Sequence, residues 1–224
     1  VFAGNSGVVN IGFIEKFLQF STPEVYGNTK NWITEDSKFF PTTPYAISRA
    51  AFDSHILNLS KFYQFPTIIT RTANVFGPGQ QLFRVIPRAI VSSEFKKKFY
   101  LHGNGNSQRS FIHINDVSTA LHKILRRGKV GQTYHISTNQ LISINKLIKL
   151  IFKIQKSNFS RYVKFSKERL GKDKFYKLNS KKIRKSLGWK DEISLEKGIL
   201  DTITWIKKNK DTIKKLNLNY IHKK

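Results

Sequence analysis

Two short apolar segments separated by a single long helical pattern constrain this chain most. Lys16–Ser21 (KFLQFS) and Thr67–Arg71 (TIITR) read as strands, the second apolar and β-branched enough to be buried. Between them, Ala46, Ile47, Ala50, Phe52, Ile56, Leu57 and Leu59 recur near the helical period, starting from Tyr45. Pro44 stands at the entry and Pro66 beyond the exit, where prolines are compatible with helix ends. Parallel strands need a crossover of about a dozen residues or more, usually a helix, so this order predicts a βαβ unit of a parallel sheet.

The rest of the chain carries shorter, mixed signals. A polar loop is expected from Tyr26 to Pro44, and the Gly/Pro-rich stretch Asn74 to Gln81 reads as a turn region. Phe83–Val91 and Asp116–Arg126 have helical patterns, and Phe99–His102, Phe111–Ile114 and Thr133–Ser137 have strand character. Ser143–Ile154 reads as an amphipathic helix with Ser143 as its N-cap. Helices near Lys181–Leu187 and Leu195–Lys208 close the chain. The expected class is α/β: the back half of a doubly wound parallel sheet followed by a smaller α+β region.

Composition limits the function classes. Apolar residues at 39% and aromatics at 13% supply a real core, which excludes a disordered tail or a disulfide-stapled miniprotein. No apolar run approaches the roughly 18–20 residues of a membrane span. The absence of cysteine removes thiol nucleophiles and thiolate metal sites and fits a reducing compartment. The start of the chain lacks the pattern of a signal peptide, so a soluble, cytoplasmic protein is expected. No His pair has a spacing that argues for a metal. The net charge of +26 points two ways. With sixteen basic and two acidic residues in 145–190, it suits non-specific polyanion binding. A chain also rich in Ile, Asn and Phe fits compositional drift better than a dedicated nucleic-acid function, and no nucleic-acid recognition signature accompanies the charge.

The chemistry-bearing residues cluster at Ser21-Thr22-Pro23-Glu24-Val25-Tyr26-Gly27 and at Tyr45-Ala46-Ile47-Ser48-Arg49. Thr22 and Glu24 follow a strand, at the edge where open α/β sheets bind ligands. Tyr45 and Arg49 are four apart on a helix and share a face. A cation beside a phenol favours the phenolate and prepares an acid/base group. Alone, such a pair is more often a packed Tyr with a solvated Arg, and Glu24 alone would read as a solvated loop carboxylate.

Neither stands alone. Thr22 to Gly27, Tyr45 to Arg49, and Asn74-Val75-Phe76-Gly77-Pro78-Gly79-Gln80 together resemble the extended short-chain dehydrogenases/reductases. The similarity continues through Ile86-Pro87, Gly103-Asn104-Gly105 to Arg109, and Phe111-Ile112-His113-Ile114-Asn115-Asp116-Val117. It returns at Arg169-Leu170-Gly171-Lys172-Asp173 and Leu187-Gly188-Trp189. Within that family the pattern is most similar to NAD-dependent nucleotide-sugar epimerases and dehydratases, the dTDP-glucose 4,6-dehydratases above all. The resemblance implies a partial Rossmann-like region over residues 1–98, to which later segments can return, and a mainly substrate-binding region over 99–224.

It also implies roles. NAD would take a hydride from C4 of a nucleotide-diphosphate hexose. Tyr45 would be the base for the 4-hydroxyl, Thr22 its hydrogen-bonding partner, and Arg49 the residue binding the nicotinamide ribose alongside Tyr45. Glu24 would remove the C5 proton, water would leave from C6, and the hydride would return there. Epimerases of the family usually carry a small residue at position 24, so Glu24 favours a dehydratase over an epimerase or reductase. Asn74, Arg109, Asn139, Arg169 and Tyr176 would hold the substrate, the two arginines on its diphosphate. A homodimer through helices including that of Tyr45 is implied as well.

Three departures stand out. Pro23 replaces an Asp that protonates the leaving hydroxyl in the dTDP-glucose enzymes, and Arg49 replaces the usual Lys, which an Arg does not simply replicate. The glycine-rich turn that seats the cofactor pyrophosphate is missing: Gly4-Asn5-Ser6-Gly7 lies too close before Thr22 for the βα units that should intervene. The chain therefore reads as an N-terminally truncated dehydratase. A non-catalytic remnant that binds nucleotides or polyanions is the alternative from another class.

Overall fold

The computed structural model describes residues 13–28, 31–167 and 177–216. In chain order, β1 (Phe17–Ser21) leads through a 3-10 turn (Pro23–Tyr26) to α1 (Pro44–Tyr63), β2 (Thr67–Thr72) and β3 (Asn74–Phe76). Then follow α2 (Val85–Glu94), β4 (Phe99–His102), β5 (Gln108–Arg109), β6 (Phe111–His113) and α3 (Ile114–Arg127). β7 (Thr133–Ile136), β8 (Ile142–Ser143), α4 (Ile144–Ile154), α5 (Phe159–Tyr162) and β9 (Val163–Ser166) come next. The described part ends with α6 (Lys181–Leu187), α7 (Leu195–Lys208) and α8 (Lys210–Lys214).

The strand–helix–strand unit forms as expected. β1 and β2 pair in parallel, and β7 joins the far side of β2, also in parallel, giving the order β1-β2-β7. Residues 133–136 thus lie in the same sheet as residues 17–21. Two further parallel ladders, β3 with β6 and β4 with β9, and the antiparallel β5–β8 pair complete the strands among the described residues. α1 starts where Thr43 accepts the Ala46 amide and Pro44 takes the first turn, and it stops at Gln64 in the left-handed conformation. Ser143 caps α4 by accepting the Lys146 amide, as its position in the sequence suggests.

Three apolar clusters hold the layers, the smallest of them Val25, Tyr26, Ala50 and Leu178 under the turn after β1. On one face of the sheet, Ile68, Tyr134 and Ile136 pack on Val117, Ala120 and Ile124 of α3 and on Ile183 and Leu187 of α6. The largest cluster joins Ile86 and Ile90 of α2, Leu147, Ile148, Ile151 and Phe152 of α4, and Ile199, Ile203 and Ile206 of α7. Each such buried aliphatic side chain contributes about 1.5–3 kcal/mol. Asp116 locks the later helices to the sheet side. Its Oδ1 and Oδ2 accept the amides of Glu192 (3.0 Å) and Ile193 (3.1 Å), and its carbonyl accepts Trp189 Nε1 (3.0 Å). No helix among the described residues is long and apolar enough to cross a membrane.

Two expectations are corrected. The stretch from Asn74 is not all turn: Asn74–Phe76 is strand β3, paired with Phe111–His113, and only from Gly77 does the backbone turn. The pairing partner lies far along the chain, so the local Gly/Pro content hides it. The inward face of α1 is also not the purely apolar one. Ile47 (55% exposed) and Phe52 (41%) face outward, whereas Ala46, Ala50, Asp53 and Ile56 are buried. Asp53 belongs inside because it meets a buried cation.

Gly198 provides a test of the packing around α7. A Cβ built there would stand 2.7 Å from the buried Phe76 ring and 3.0 Å from His113. Gly to Ala inside a helix ordinarily stabilises by about 0.8–1 kcal/mol. Here Gly198→Ala is expected instead to destabilise by about 1–3 kcal/mol through overpacking. A lower urea midpoint at unchanged m would show it.

Candidate active site

Because β1, β2 and β7 run in parallel, their carboxyl ends open on one edge of the sheet, where α/β folds bind ligands. Thr22 follows β1 directly, Asn74 stands two residues past β2, and Asn139 three past β7. The register brings three of the sequence-predicted residues to one edge. Asn74 N donates to Ser110 O (3.1 Å), which draws the neighbouring Arg109 to the same region. Arg109 Nη1 donates to the Gln108 carbonyl (2.8 Å). Asn74 and Asn139 are exposed. Arg169 and Tyr176 lie outside the described residues.

Thr22 and Glu24 are held on a short, tightly clamped turn. Thr22 is buried and extended, and its Oγ1 accepts the Glu24 amide (3.3 Å). Val25 and Tyr26 are buried beneath it, and Phe40 N donates to Val25 O (2.9 Å). Gly27 ends the turn at φ +66, where a Cβ would stand 2.3 Å from Phe40 O, so only glycine fits. Glu24 is left half-buried at the rim of this turn.

Tyr45 and Arg49 occupy the first turns of α1. Tyr45 is about half exposed. Arg49 Nη2 donates to the carbonyl of Phe20, in β1, two residues before Thr22. The guanidinium therefore ties the helix to the strand end that carries Thr22. Two cavities also lie on the surface, one of about 220 Å³ lined in part by Thr138, Gln140, Glu192 and Ser194. The other is lined by Leu57, Ser60, Lys61, Gln64, Val130 and Gly131. Neither is lined by Thr22, Glu24, Tyr45 or Arg49.

Sequence reasoning did not single out what lies beneath this edge. Ser21, Arg71 and His135 are register partners across the three strands, so their side chains form one polar row on a single sheet face. Arg71 is fully buried and donates from Nε (3.2 Å) and Nη2 (2.8 Å) to Oδ2 of the equally buried Asp53. Ser21 Oγ donates to the same oxygen (2.6 Å). Arg71 Nη1 donates to Tyr26 Oη (2.5 Å), which is hydrogen-bonded to His135 Nε2 (2.8 Å) and donates more weakly to the Glu35 carbonyl (3.4 Å). The guanidinium also lies over the rings of Tyr26 (4.9 Å) and Phe39 (4.8 Å). Glu35 closes the network by accepting the His135 amide (2.9 Å).

The electrostatics follow from this burial. Burial pushes the His135 imidazole down from 6.5 to about 3, with the Arg71 charge acting in the same direction. It pushes the Tyr26 phenol up to about 12 against the pull of Arg71. Burial also raises the Glu35 carboxyl above its ordinary range. The one sequence signal for this network was a charge at the end of TIITR together with an acid inside a helical apolar pattern.

Comparison with known proteins follows the same lines. Residues 9–202 match the family described as GDP-mannose 4,6 dehydratase. The chain is 36% identical over 215 residues to a dTDP-D-glucose 4,6-dehydratase of Mus musculus, covering 92% of this chain and 60% of the mouse protein. It is similar in structure to the dTDP-glucose 4,6-dehydratase from Bacillus anthracis in complex with NAD. That match has a TM-score of 0.83 and 30% identity, over 88% of this chain and 63% of that one. The corresponding enzyme from Streptomyces venezuelae, also solved with NAD, gives a TM-score of 0.84 at 28% identity, over 88% and 61% of the two chains. The α/β, Rossmann-like fold expected from the sequence is thereby shown. The chain spans about 60% of the length of the dTDP-D-glucose 4,6-dehydratases it matches.

The buried imidazole sets an acid limit on stability. Between pH 6.5 and about 3 the unfolded chain protonates His135 and the folded one does not. The unfolded state binds more protons there, and stability falls as pH drops. Glu35 has the opposite sign: its raised value gives stability that is full at low pH and lost as pH rises through the folded value. Relative to His135→Gln, the wild type is expected to lose its advantage on acidification below 6.5, by at most about 1.4 kcal/mol per pH unit. Urea unfolding of both proteins across that range measures it, and a constant difference would contradict a neutral buried imidazole.

Proposed function

This chain belongs to the GDP-mannose 4,6-dehydratase family, by its match over residues 9–202, and from that premise we propose that it carries the reaction centre of an NAD-dependent nucleotide-sugar 4,6-dehydratase acting on a nucleotide-diphosphate hexose. The observation that carries the reading is the meeting of two elements at one strand end. Thr22 and Glu24 share a rigid turn after β1, and the helix bearing Tyr45 is fastened to that strand by Arg49 on Phe20.

The described residues fit the nicotinamide end of the cofactor: a half-exposed phenol at Tyr45 and the Arg49 cation stand at the carboxyl edge of a parallel sheet. Among the described residues no strand enters a helix through the G-x-G-x-x-G turn that would take the pyrophosphate: Gly77-Pro78-Gly79, between β3 and α2, has Leu82 where the third glycine would stand. Tyr45 and Arg49 would hold the nicotinamide ribose, and the hydride chemistry at C4 and C6 is what NAD supplies when bound. Thr22 holds the sugar 4-hydroxyl by a hydrogen bond, and Tyr45 Oη takes its proton. The 4-ketone acidifies C5–H, and Glu24 removes that proton. Pro23 has none to give, so Glu24 passes the proton it has just accepted to the departing C6 hydroxyl, which leaves as water. C5 regains a proton from solvent through Glu24.

Asn74, Arg109 and Asn139, at the same edge, are assigned to the substrate, with Arg109 on its diphosphate. Arg169 and Tyr176 keep the substrate roles that the motifs imply. A homodimer is supported by the exposed apolar residues Ile47, Phe52, Phe62 and Tyr63 along α1. A cytoplasmic setting belongs to the same reading. The net charge of +26 supports weak, non-specific polyanion binding as a side property.

The test is incubation with NAD and either dTDP-glucose or GDP-mannose, following the sugar nucleotide by mass spectrometry. Loss of one water is expected, whereas an epimer of unchanged mass would favour the epimerase alternative. Glu24→Gln should cut water loss by about 10²–10⁴-fold, the usual contribution of a positioned base. It should still reduce bound NAD, seen as nicotinamide absorbance, because C4 oxidation does not use Glu24.

A further inference from the structure

The reaction centre is split between two elements that are not adjacent in sequence. Thr22 and Glu24 sit on the turn after β1, and Tyr45 and Arg49 sit on α1. One buried side chain reaches both. Arg71 Nη1 donates to Tyr26 Oη at the end of the turn, and Nε and Nη2 donate to Asp53, one helical turn beyond Arg49. Ser21, the last residue of β1, donates to the same carboxylate. A guanidinium is planar with donors in a fixed fork, so the two attachments cannot move independently.

We propose that Arg71 is a positioning residue that sets the spacing between Thr22 and Glu24 on one side and Tyr45 and Arg49 on the other, by binding Tyr26 and Asp53 at once. The inference rests on the dehydratase reading for its catalytic consequence, though not for the clamp itself. Arg71 touches neither substrate nor cofactor in this scheme. It acts through Tyr26 and Asp53, and its other neighbours fit that role. His135 Nε2 lies within hydrogen-bond distance of Tyr26 Oη (2.8 Å) and fixes the phenol's orientation, and the Phe39 ring covers the guanidinium from the loop. A purely stabilising ion pair would need only Asp53. The third arm, to Tyr26, holds the turn.

Two conservative variants isolate that arm. Arg71→Lys keeps a cation beside Asp53 without a fork that spans both partners, and Tyr26→Phe removes the acceptor while keeping the ring. In both, the amides of Gly27 and Phe40, which bond within and onto the turn, are expected to exchange hydrogen about tenfold faster or more. The amides of Ile69 and Ala73, bonded within the sheet, keep their protection. With NAD and sugar nucleotide, kcat should fall about tenfold to a hundredfold at unchanged KM, as expected for misplaced reacting groups. The double variant should be no slower than the worse single one, since both remove the same link.

Unchanged exchange at Gly27 and Phe40 in either variant overturns the clamp. Losses in kcat that multiply in the double variant, or that appear in KM instead, overturn the positioning role. No turnover by the wild type would sink the proposed function, and the exchange rates would still decide the clamp.

Discussion

The arrangement depends on one buried ion pair. Arg71 and Asp53 are both removed from solvent, and each would be very costly to bury alone. Removing one partner of such a pair typically costs about 3–5 kcal/mol, because the other charge is left uncompensated. The pair therefore dictates the rotation of α1 against the sheet: the helix must present Asp53 inward at the level of Arg71. That rotation turns Ile47 and Phe52 to solvent and sends Arg49 to the end of β1. The geometry at the sheet edge is a consequence of how the charge beneath it is neutralised.

What could be read from the sequence was what is encoded locally. The strand–helix–strand unit showed because each element carries its own period and its own punctuation, Thr43 and Pro44 at one end of α1 and Pro66 beyond the other. Thr22, Glu24, Tyr45 and Arg49 were visible through their motifs, and the parallel register explains why Asn74 and Asn139 come to the same edge. Features set by distant partners were not legible. β3 looked like a turn because its ladder partner is Phe111–His113. The polar row of Ser21, Arg71 and His135 requires a register that no single segment states. The sequence around Asp53 does not by itself mark it as buried, because its burial depends on the cation beneath it.

The surface and the interior treat charge in opposite ways. Outside, a net +26 repels itself and weakens the compact state. The surface ion pairs among the described residues, such as Lys190–Glu192 and Lys214–Asp211, are exposed contacts that each add little. Inside, the Arg71 cation is matched by the Asp53 carboxylate and bonded to the Tyr26 phenol, which in turn bonds a neutral imidazole. The burden of offsetting the outer repulsion falls on the apolar clusters, above all on the aliphatic residues of α2, α4 and α7.

The ladders also have a consequence for how such a chain is made. None of the described pairings joins neighbouring strands by a hairpin. Even the closest, Arg109 with Ile142, joins residues thirty-three apart, and β2 must wait for β7 more than sixty residues later. Contacts this far apart make folding slow, because loop entropy is lost before any pairing is gained. A ribosome that has released β1, α1 and β2 has released a sheet still open on its β7 side, with Ile68 and Ile69 waiting for cover. During synthesis the hazard of this topology is unsatisfied strand edges, and that of β2 is closed only when Thr133–Ile136 arrives.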